Sequence, residues 1–254
     1  MTLDHTKRFT KRADFYARFR PGYPPGVVKI ISKSLGLTSN DTVADIGSGT
    51  GLLSKLFLKS GYKVYGVEPN DKMRGHAEKG LSHFRNFISI NGTAEATTLA
   101  PRSVDLITAG QALHWFAPAR SRKEFSRISR PGGGFCVVYN KRKSSDRFSR
   151  VYAKIIRRYG RDRAKVPDIG GRLVSRYFDR GRFASFSLAN EQTLDFEGLR
   201  GRLVSASYMP TPRDKDYRTF EKEVRDVFDT YSVGGCVRIP YDTEILVGKV
   251  NQLT

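Results

Sequence analysis

Three glycines at alternate positions constrain this chain more than anything else in it. They stand in Val43-Ala44-Asp45-Ile46-Gly47-Ser48-Gly49-Thr50-Gly51, between a short apolar run and the helix-like stretch Leu52-Leu53-Ser54-Lys55-Leu56-Phe57-Leu58. Strand, tight turn and helix in that order make a nucleotide-type site. Glycine admits the sharp bend and lets a ligand reach the main chain with no Cβ in the way. The spacing departs from the dinucleotide fingerprint G-x-G-x-x-G, because Leu52 holds its third glycine position. What stands instead is D-x-G-x-G-x-G. A second landmark strengthens this turn: Lys63-Val64-Tyr65-Gly66-Val67 is β-branched and aromatic, and ends at Glu68. A carboxylate at the end of the second strand, about 20 residues past the glycines, can accept from both hydroxyls of a ribose.

Apolar runs alternate with helical patterns through residue 139, the signature of a parallel sheet with helices on both faces. The expected order is helix 27–35, strand 42–46, helix 52–60 closed by Gly61, strand 63–67, and helix 71–80 capped by Asn70 or Asp71. Strands 87–91 and 104–109, helix 119–129 and strand 135–139 follow, the last after a Pro131-Gly132-Gly133 turn. Beyond Tyr139 helices are expected at 149–158, 173–178, 196–204 and 217–231, and strands at 183–188 and 243–250.

With 254 residues the chain is one domain, or one domain with an inserted lid. Apolar content of 39% argues against global disorder. No apolar run approaches the ~20 residues of a membrane span. No hydrophobic signal segment opens the chain. The basic segment 7–12 lies between Asp4 and Asp14 and lacks serines, unlike a transit peptide. Cys136 and Cys236 have no metal or redox spacing, and a reduced, cytoplasmic setting is expected. The net charge of +20 raises the prospect of anionic partners, and residues 141–182 are dense in Arg. That stretch reads either as a solvated face or as a polyanion-binding surface for RNA.

The resemblance extends past the two landmarks. Phe9, Tyr16-Ala17-Arg18-Phe19-Arg20-Pro21-Gly22-Tyr23-Pro24, the glycine turn, Gly92-Thr93-Ala94-Glu95 and Thr108-Ala109-Gly110-Gln111-Ala112-Leu113-His114-Trp115-Phe116 together resemble the class I S-adenosylmethionine-dependent methyltransferases. Within that class they are similar to the type 11 family that includes trans-aconitate methyltransferase-like enzymes. The likeness covers about residues 9–140, with a weaker echo in Gly201–Tyr208 and the last strand. It implies a doubly wound, seven-stranded, mostly parallel Rossmann-like sheet with a helical lid, the two late strands forming an antiparallel edge. Residues 1–40 would be an N-terminal helical segment closing over the cofactor. Residues 41–140 would be the cofactor-binding α/β core, and 141–254 a basic helical lid plus the last two strands.

The implied cofactor is S-adenosylmethionine. Asp45 would organise the glycine loop near its methionine end, with Gly47, Ser48, Gly49 and Gly51 against the same moiety. Glu68, followed by Pro69, would hold the ribose, and Met73 would pack on the adenine. Thr93, Ala94 and Glu95 would flank the adenine edge. Many relatives have Asp where Thr93 stands, so the acceptor for the exocyclic amine is either Thr93 or Glu95. Gln111 and Ala112 would border the sulfonium, while Tyr16 and Arg20 would close over the site, Arg20 pairing the cofactor carboxylate. His114, Trp115 and Tyr208 would face the acceptor, with His114 the candidate base. Plainer roles stand beside these: Met73 and Trp115 as core, His114 as a satisfied histidine, Arg20 as a solvated residue before Pro21.

Methyl transfer from a sulfonium is an in-line displacement needing alignment and no metal, and no metal-ligand cluster appears in the chain. A carboxylate acceptor is already ionised at neutral pH, whereas a phenol near ~10 needs its proton removed. Gln111-Ala112-Leu113-His114 stands where adenine amino-methylating enzymes carry an Asn/Asp-Pro-Pro-aromatic motif, and no cysteine is placed for cytosine C5 chemistry. The expected function is methyl transfer to a small-molecule acceptor, a carboxylic acid attracted by the basic lid. The alternatives are an RNA methyltransferase using residues 141–182 as a phosphate track, and a cofactor-binding polyanion module without turnover.

Overall fold

The computed structural model describes residues 12–161 and 174–252, which build one seven-stranded sheet flanked by helices. The strands are β1 (Thr42–Ile46), β2 (Lys63–Val67), β3 (Phe87–Ile90), β4 (Val104–Gly110), β5 (Ser129–Arg142), β6 (Ala184–Leu194) and β7 (Val237–Lys249). Their spatial order is β3-β2-β1-β4-β5-β7-β6. β7 alone runs against the rest, pairing antiparallel with both β5 and β6. The antiparallel edge therefore comes from one reversed strand.

The helices are α1 (Ala13–Phe19), α2 (Gly26–Leu35), α3 (Leu52–Lys59), α4 (Asp71–Leu81), α5 (Pro118–Ile128), α6 (Arg147–Tyr159), α7 (Phe196–Val204) and α8 (Tyr217–Tyr231). Strand alternation feeds two cores. Val43, Leu106 and Cys136 face Val27, Ile31, Phe57 and Leu81 of α2, α3 and α4. Their chain neighbours Ala44, Ile107 and Val137 face Phe125 and Ile128 of α5. Burial on both faces is why β1 and β4 read as apolar runs without alternation. A third cluster joins α6, α7 and α8 to the ends of β6 and β7, with Tyr152, Leu199, Phe220 and Tyr241 at its centre.

Boundaries moved where pairing outlasts the apolar pattern. The Pro131-Gly132-Gly133 turn is an irregularity inside β5: Val104 pairs with Ser129 and Leu106 with Gly134. Gly132 takes φ +73° there. β7 begins six residues before the expected 243, and it contains Pro240. Lys143 N–H donates to the Pro240 carbonyl at 3.0 Å, on the side where the β5 pairing has ended at Arg142. The absent proline N–H points to that side too, so no ladder bond to β6 is lost. The helix expected at 173–178 begins outside the described residues. Its described part is helical at 174–175 and then passes into turns, with Tyr177 N–H donating to Val174 and Phe178 N–H to Ser175. Residues 1–11, and with them Phe9, also lie outside the described residues, as do 162–173 of the Arg-rich stretch.

β1 leads to β2 and β3 on one side, while β4 and β5 build the other, so the winding reverses between β1 and β4. Ligands of open α/β sheets bind at the carboxyl ends of strands at such a reversal.

Candidate active site

Asp45 closes β1 at that reversal, with 1% of its surface exposed. It accepts from Ser54 Oγ of α3 at 2.6 Å and from Thr108 Oγ1 of β4 at 3.0 Å. Burial raises its carboxyl to about 6, against the lowering effect of those two hydroxyls. Gly47, Gly49 and Gly51 all have positive φ, at +66°, +57° and +81°. A Cβ on Gly47 would lie 2.8 Å from the Ala112 methyl, and one on Gly51 2.6 Å from Leu81. The turn is thus held by steric closeness as well as by backbone conformation. Gly47 and Ser48 both donate N–H to the Val67 carbonyl, at 2.8 and 3.1 Å, which ties the turn to the end of β2.

Glu68 stands next to that carbonyl, 9% exposed. One of its oxygens accepts from Gly49 N–H at 3.0 Å and the other from Asn70 N–H at 2.9 Å. Burial raises its pKa, offset in part by these donors and by Arg74. Each oxygen keeps a further lone pair for a ligand hydroxyl. Past Pro69, Asn70 is the N-cap of α4, its side chain accepting from Met73 N–H at 3.0 Å. That cap sets Met73 against the glycine turn, its Cε 3.3 Å from where a Gly49 Cβ would be.

A crevice beside the turn is walled by Asp45, Gly47, Gly49, Thr50, Tyr16 and Tyr23. The buried Oγ1 of Thr50 has no hydrogen-bond partner. Tyr16, Tyr23 and Leu52 also belong to the wall of a larger neighbouring cavity of about 430 Å³. Arg20, Gln111, Arg142, Arg157, Arg202 and Tyr208 line that second space. Arg20 caps the end of α1, lies 4.7 Å over the Tyr16 ring and donates to the Ser205 carbonyl at 3.2 Å. Its Nε is buried without a partner. Gln111 adopts φ +56°, and its side-chain amide donates to the Asn140 carbonyl at 3.2 Å. Ala112 is buried against Gly47.

Other expected residues lie apart from this pair of cavities. Thr93 forms a bridge with Ala96, and its Oγ1 accepts from Glu95 N–H at 3.3 Å. Glu95 Oε1 accepts from Ala117 N–H at 2.7 Å, at the start of α5, which commits one oxygen of that carboxylate to the fold. Ala94 is buried in the α5 core. His114 and Trp115 form a short 3-10 turn with ring centroids 4.5 Å apart, and neither lines the two cavities.

Several wall residues carry no expected role from sequence reasoning. Tyr23 lies in the quoted R-P-G-Y-P segment and reaches Gly110, whose Cβ would stand 2.9 Å from the Tyr23 hydroxyl. Arg202 lies in the Gly201–Tyr208 echo and is 5% exposed, its Nε donating to the Tyr241 hydroxyl at 3.3 Å. Arg142 and Arg157 come from the stretch read only as a charge block. Arg12 also escaped notice: it donates to the carbonyls of Val204, Ala206 and Met209, and so pins the segment that carries Tyr208 to the N-terminal helix. Among the described residues there is no cluster that could hold a metal ion, and no helix is long and apolar enough to cross a membrane.

Comparison with known proteins agrees with this geometry. Residues 44–137 match the family described as Methyltransferase domain. An uncharacterized methyltransferase of Mycobacterium tuberculosis is 33% identical over 168 residues, covering 65% of this chain and 66% of that protein. An uncharacterized methyltransferase of Schizosaccharomyces pombe is 30% identical over 131 residues, 51% of each chain. A solved structure described as a type II methyltransferase from Anaeromyxobacter dehalogenans shares the fold, with a TM-score of 0.69 at 21% identity over 92% of this chain and 100% of its own. Residues 44–137, from within β1 to within β5, thus match a methyltransferase domain, the chain spans just under two thirds of the length of the mycobacterial relative, and it shares the fold of the solved methyltransferase structure.

Proposed function

We propose that this protein transfers a methyl group from S-adenosylmethionine to a small anionic acceptor, a carboxylic acid, seated in the 430 Å³ cavity. The carrying observation is the charge of that cavity. Arg20, Arg142, Arg157 and Arg202 line it, and among the described residues no Asp or Glu does. Among the described residues, no carboxylate stands within ion-pair distance of these four. Arg202 is buried, Arg20 and Arg142 are half-buried and Arg157 is exposed; an anion entering the cavity offsets the cost of the desolvated guanidinium groups among them. The volume falls within the ~300–1,000 Å³ usual for small-molecule sites. The finer likeness to trans-aconitate methyltransferase-like enzymes fits an acceptor of this kind.

The glycine-turn crevice fits the cofactor: its floor leaves no room for a Cβ on Gly47, and it holds an orphaned Thr50 hydroxyl. Glu68 would hold the ribose, Met73 the adenine, and Arg20 the amino-acid carboxylate through its free Nε. Bound there, the cofactor supplies an electrophilic methyl group. Tyr16, Tyr23 and Leu52, shared by both walls, keep the two ligands adjacent, which is the alignment an in-line displacement requires. α1 and the α6–α8 cluster act as the lid in this reading.

The RNA alternative draws on the basic surface near α6, but much of that charge is spoken for. Lys141 pairs with Glu244, Lys143 with Asp242, Arg158 with Glu223, and Arg161 with Asp214 and Asp216. Incubation with methyl-labelled cofactor and either a metabolite fraction or total RNA tests the proposal. Label should enter small acids, and Arg202→Gln should raise the acceptor KM by about tenfold or more, the cost of one charge-assisted hydrogen bond. Label in RNA alone overturns it.

A further inference from the structure

We propose that Tyr208 is the base of the reaction and that the acceptor is a hydroxy acid, held through its carboxylate by Arg142 and Arg202 and methylated on its hydroxyl oxygen. The inference rests on reading the cationic cavity as the acceptor's seat.

Four observations converge on this residue. First, Tyr208 lines the cavity on a segment held from three sides. Its own carbonyl accepts from Arg161 N–H at 2.8 Å, Arg12 donates to the carbonyls of Ala206 and Met209, and Arg20 to that of Ser205. Second, three guanidinium groups share the cavity wall with its phenol: Arg20 from the end of α1, Arg142 from the end of β5 and Arg202 from α7. The other titratable groups on or near this wall are the cations Lys141 and Arg157 and the phenols Tyr16, Tyr23, Tyr152 and Tyr241, which bring no negative charge while protonated. Third, among the described residues no carboxylate, imidazole or thiol lines the cavity. Fourth, an arginine-clamped carboxylate has its lone pairs engaged in charge-assisted bonds, so it serves as a handle better than as a nucleophile. A hydroxyl nucleophile then needs a base, and Tyr208 is placed to be one.

The electrostatics agree. Burial by itself raises the Tyr208 phenol, yet Arg142, Arg20 and Arg202 bring it below its ordinary value. Tyr23, on the opposite wall, moves the other way: burial and the neighbouring Tyr16 and Asp45 lift it well above.

The step balances. The Tyr208 phenolate accepts the hydroxyl proton of the acceptor. The freed oxygen pair forms the bond to the methyl carbon while the methyl–sulfur bond breaks, its electrons staying on sulfur and discharging the sulfonium. The proton then leaves Tyr208 for water, and the phenolate is restored.

The test uses the whole protein and Tyr208→Phe, with circular dichroism to establish that the variant folds. Without any ligand, ultraviolet titration of tyrosinate should show a wild-type step below the ~10 of a free phenol, absent in Tyr208→Phe. Superimposable titrations overturn the inference. With labelled S-adenosylmethionine and a metabolite fraction, the labelled product should resist mild alkali and yield methyl iodide with hot hydriodic acid, the behaviour of an ether. Tyr208→Phe should lower kcat about 100-fold or more with acceptor KM within about threefold, and should lose the alkaline rise of the wild-type pH profile. An alkali-labile label marks an ester, and a label resistant to both reagents marks another atom. Either result, or an unchanged kcat, overturns the base while leaving the anionic-acceptor reading in place. Label in RNA, or in no small molecule, overturns both.

Discussion

Asp45 at the end of β1 and Thr108 in β4 are joined by a 3.0 Å hydrogen bond across the point where the sheet reverses its winding. The same carboxylate reaches α3 through Ser54 at 2.6 Å, so one side chain ties together three elements that shape the crevice. Burial raises its folded-state pKa to about 6, from an ordinary 3.8. The fold therefore binds this proton more tightly than the unfolded chain does. The stabilisation is full below about pH 4 and is lost as the pH rises through about 6. A shift of about 2 units corresponds to about 3 kcal/mol. Denaturant unfolding of wild type and Asp45→Asn at pH 4 and pH 7 should show the wild type gaining on the variant by up to that amount at the lower pH. A pH-independent difference refutes it.

Gly47 combines φ +66° with a site where a Cβ would stand 2.8 Å from that of Ala112. Gly47→Ala should cost about 1–2 kcal/mol for the left-handed backbone alone, with the methyl clash added. The clash pushes Ala112 and the turn apart, so cofactor affinity should fall as well. Chemical denaturation and calorimetry on one sample separate the two losses. Gly132→Ala, also at positive φ but with open space around it, should lose stability without losing affinity.

Glu68 presents one oxygen to Gly49 N–H and the other to Asn70 N–H. Glu68→Gln keeps the shape but turns an NH2 toward one of those donors. Hydrogen bonds to a charged acceptor contribute about 1.5–3 kcal/mol, so affinity for S-adenosylmethionine should drop by about 10- to 100-fold. Titration calorimetry reads this directly, and an unchanged affinity removes Glu68 from the site.

Arg12 bonds three carbonyls in the 204–209 segment. Arg12→Ala leaves those acceptors without their cation and should destabilise the protein by about 2–3 kcal/mol. Hydrogen exchange should quicken in the 204–209 segment and leave the β1–β4 ladder unchanged. Uniform exchange rates would show that Arg12 holds nothing locally.

The glycine turn, Glu68 and the parallel strands were legible because each depends on near neighbours in the chain. Positive φ at Gly47, Gly49 and Gly51, and the Asn70 cap that seats Met73, are local devices with local signatures. The expected strand 135–139 stopped short because its ladder with β7 continues to Arg142 through polar residues. Helix α1 was expected only as a helical segment, since its seven residues pack on α7 through Phe19 against Gly201, 182 positions away in the chain. His114 had the right chemistry for a base, but its short 3-10 turn sets it outside both cavities.

The sequence by itself determined a methyltransferase-type sheet and the glycine turn after its first strand, because the spacing of glycines and the periodicity of apolar residues act over a few residues. Only the tertiary structure decided the arginine-lined cavity. Arg20, Arg142, Arg202 and Tyr208 come from the end of α1, the end of β5, α7 and the segment after it, and no spacing in the chain marks them as neighbours. They meet because the α6–α8 cluster packs against the reversed strand β7 and carries its arginines over the carboxyl ends of β1 and β4. There, with no carboxylate on the cavity wall among the described residues, their charge becomes a binding force.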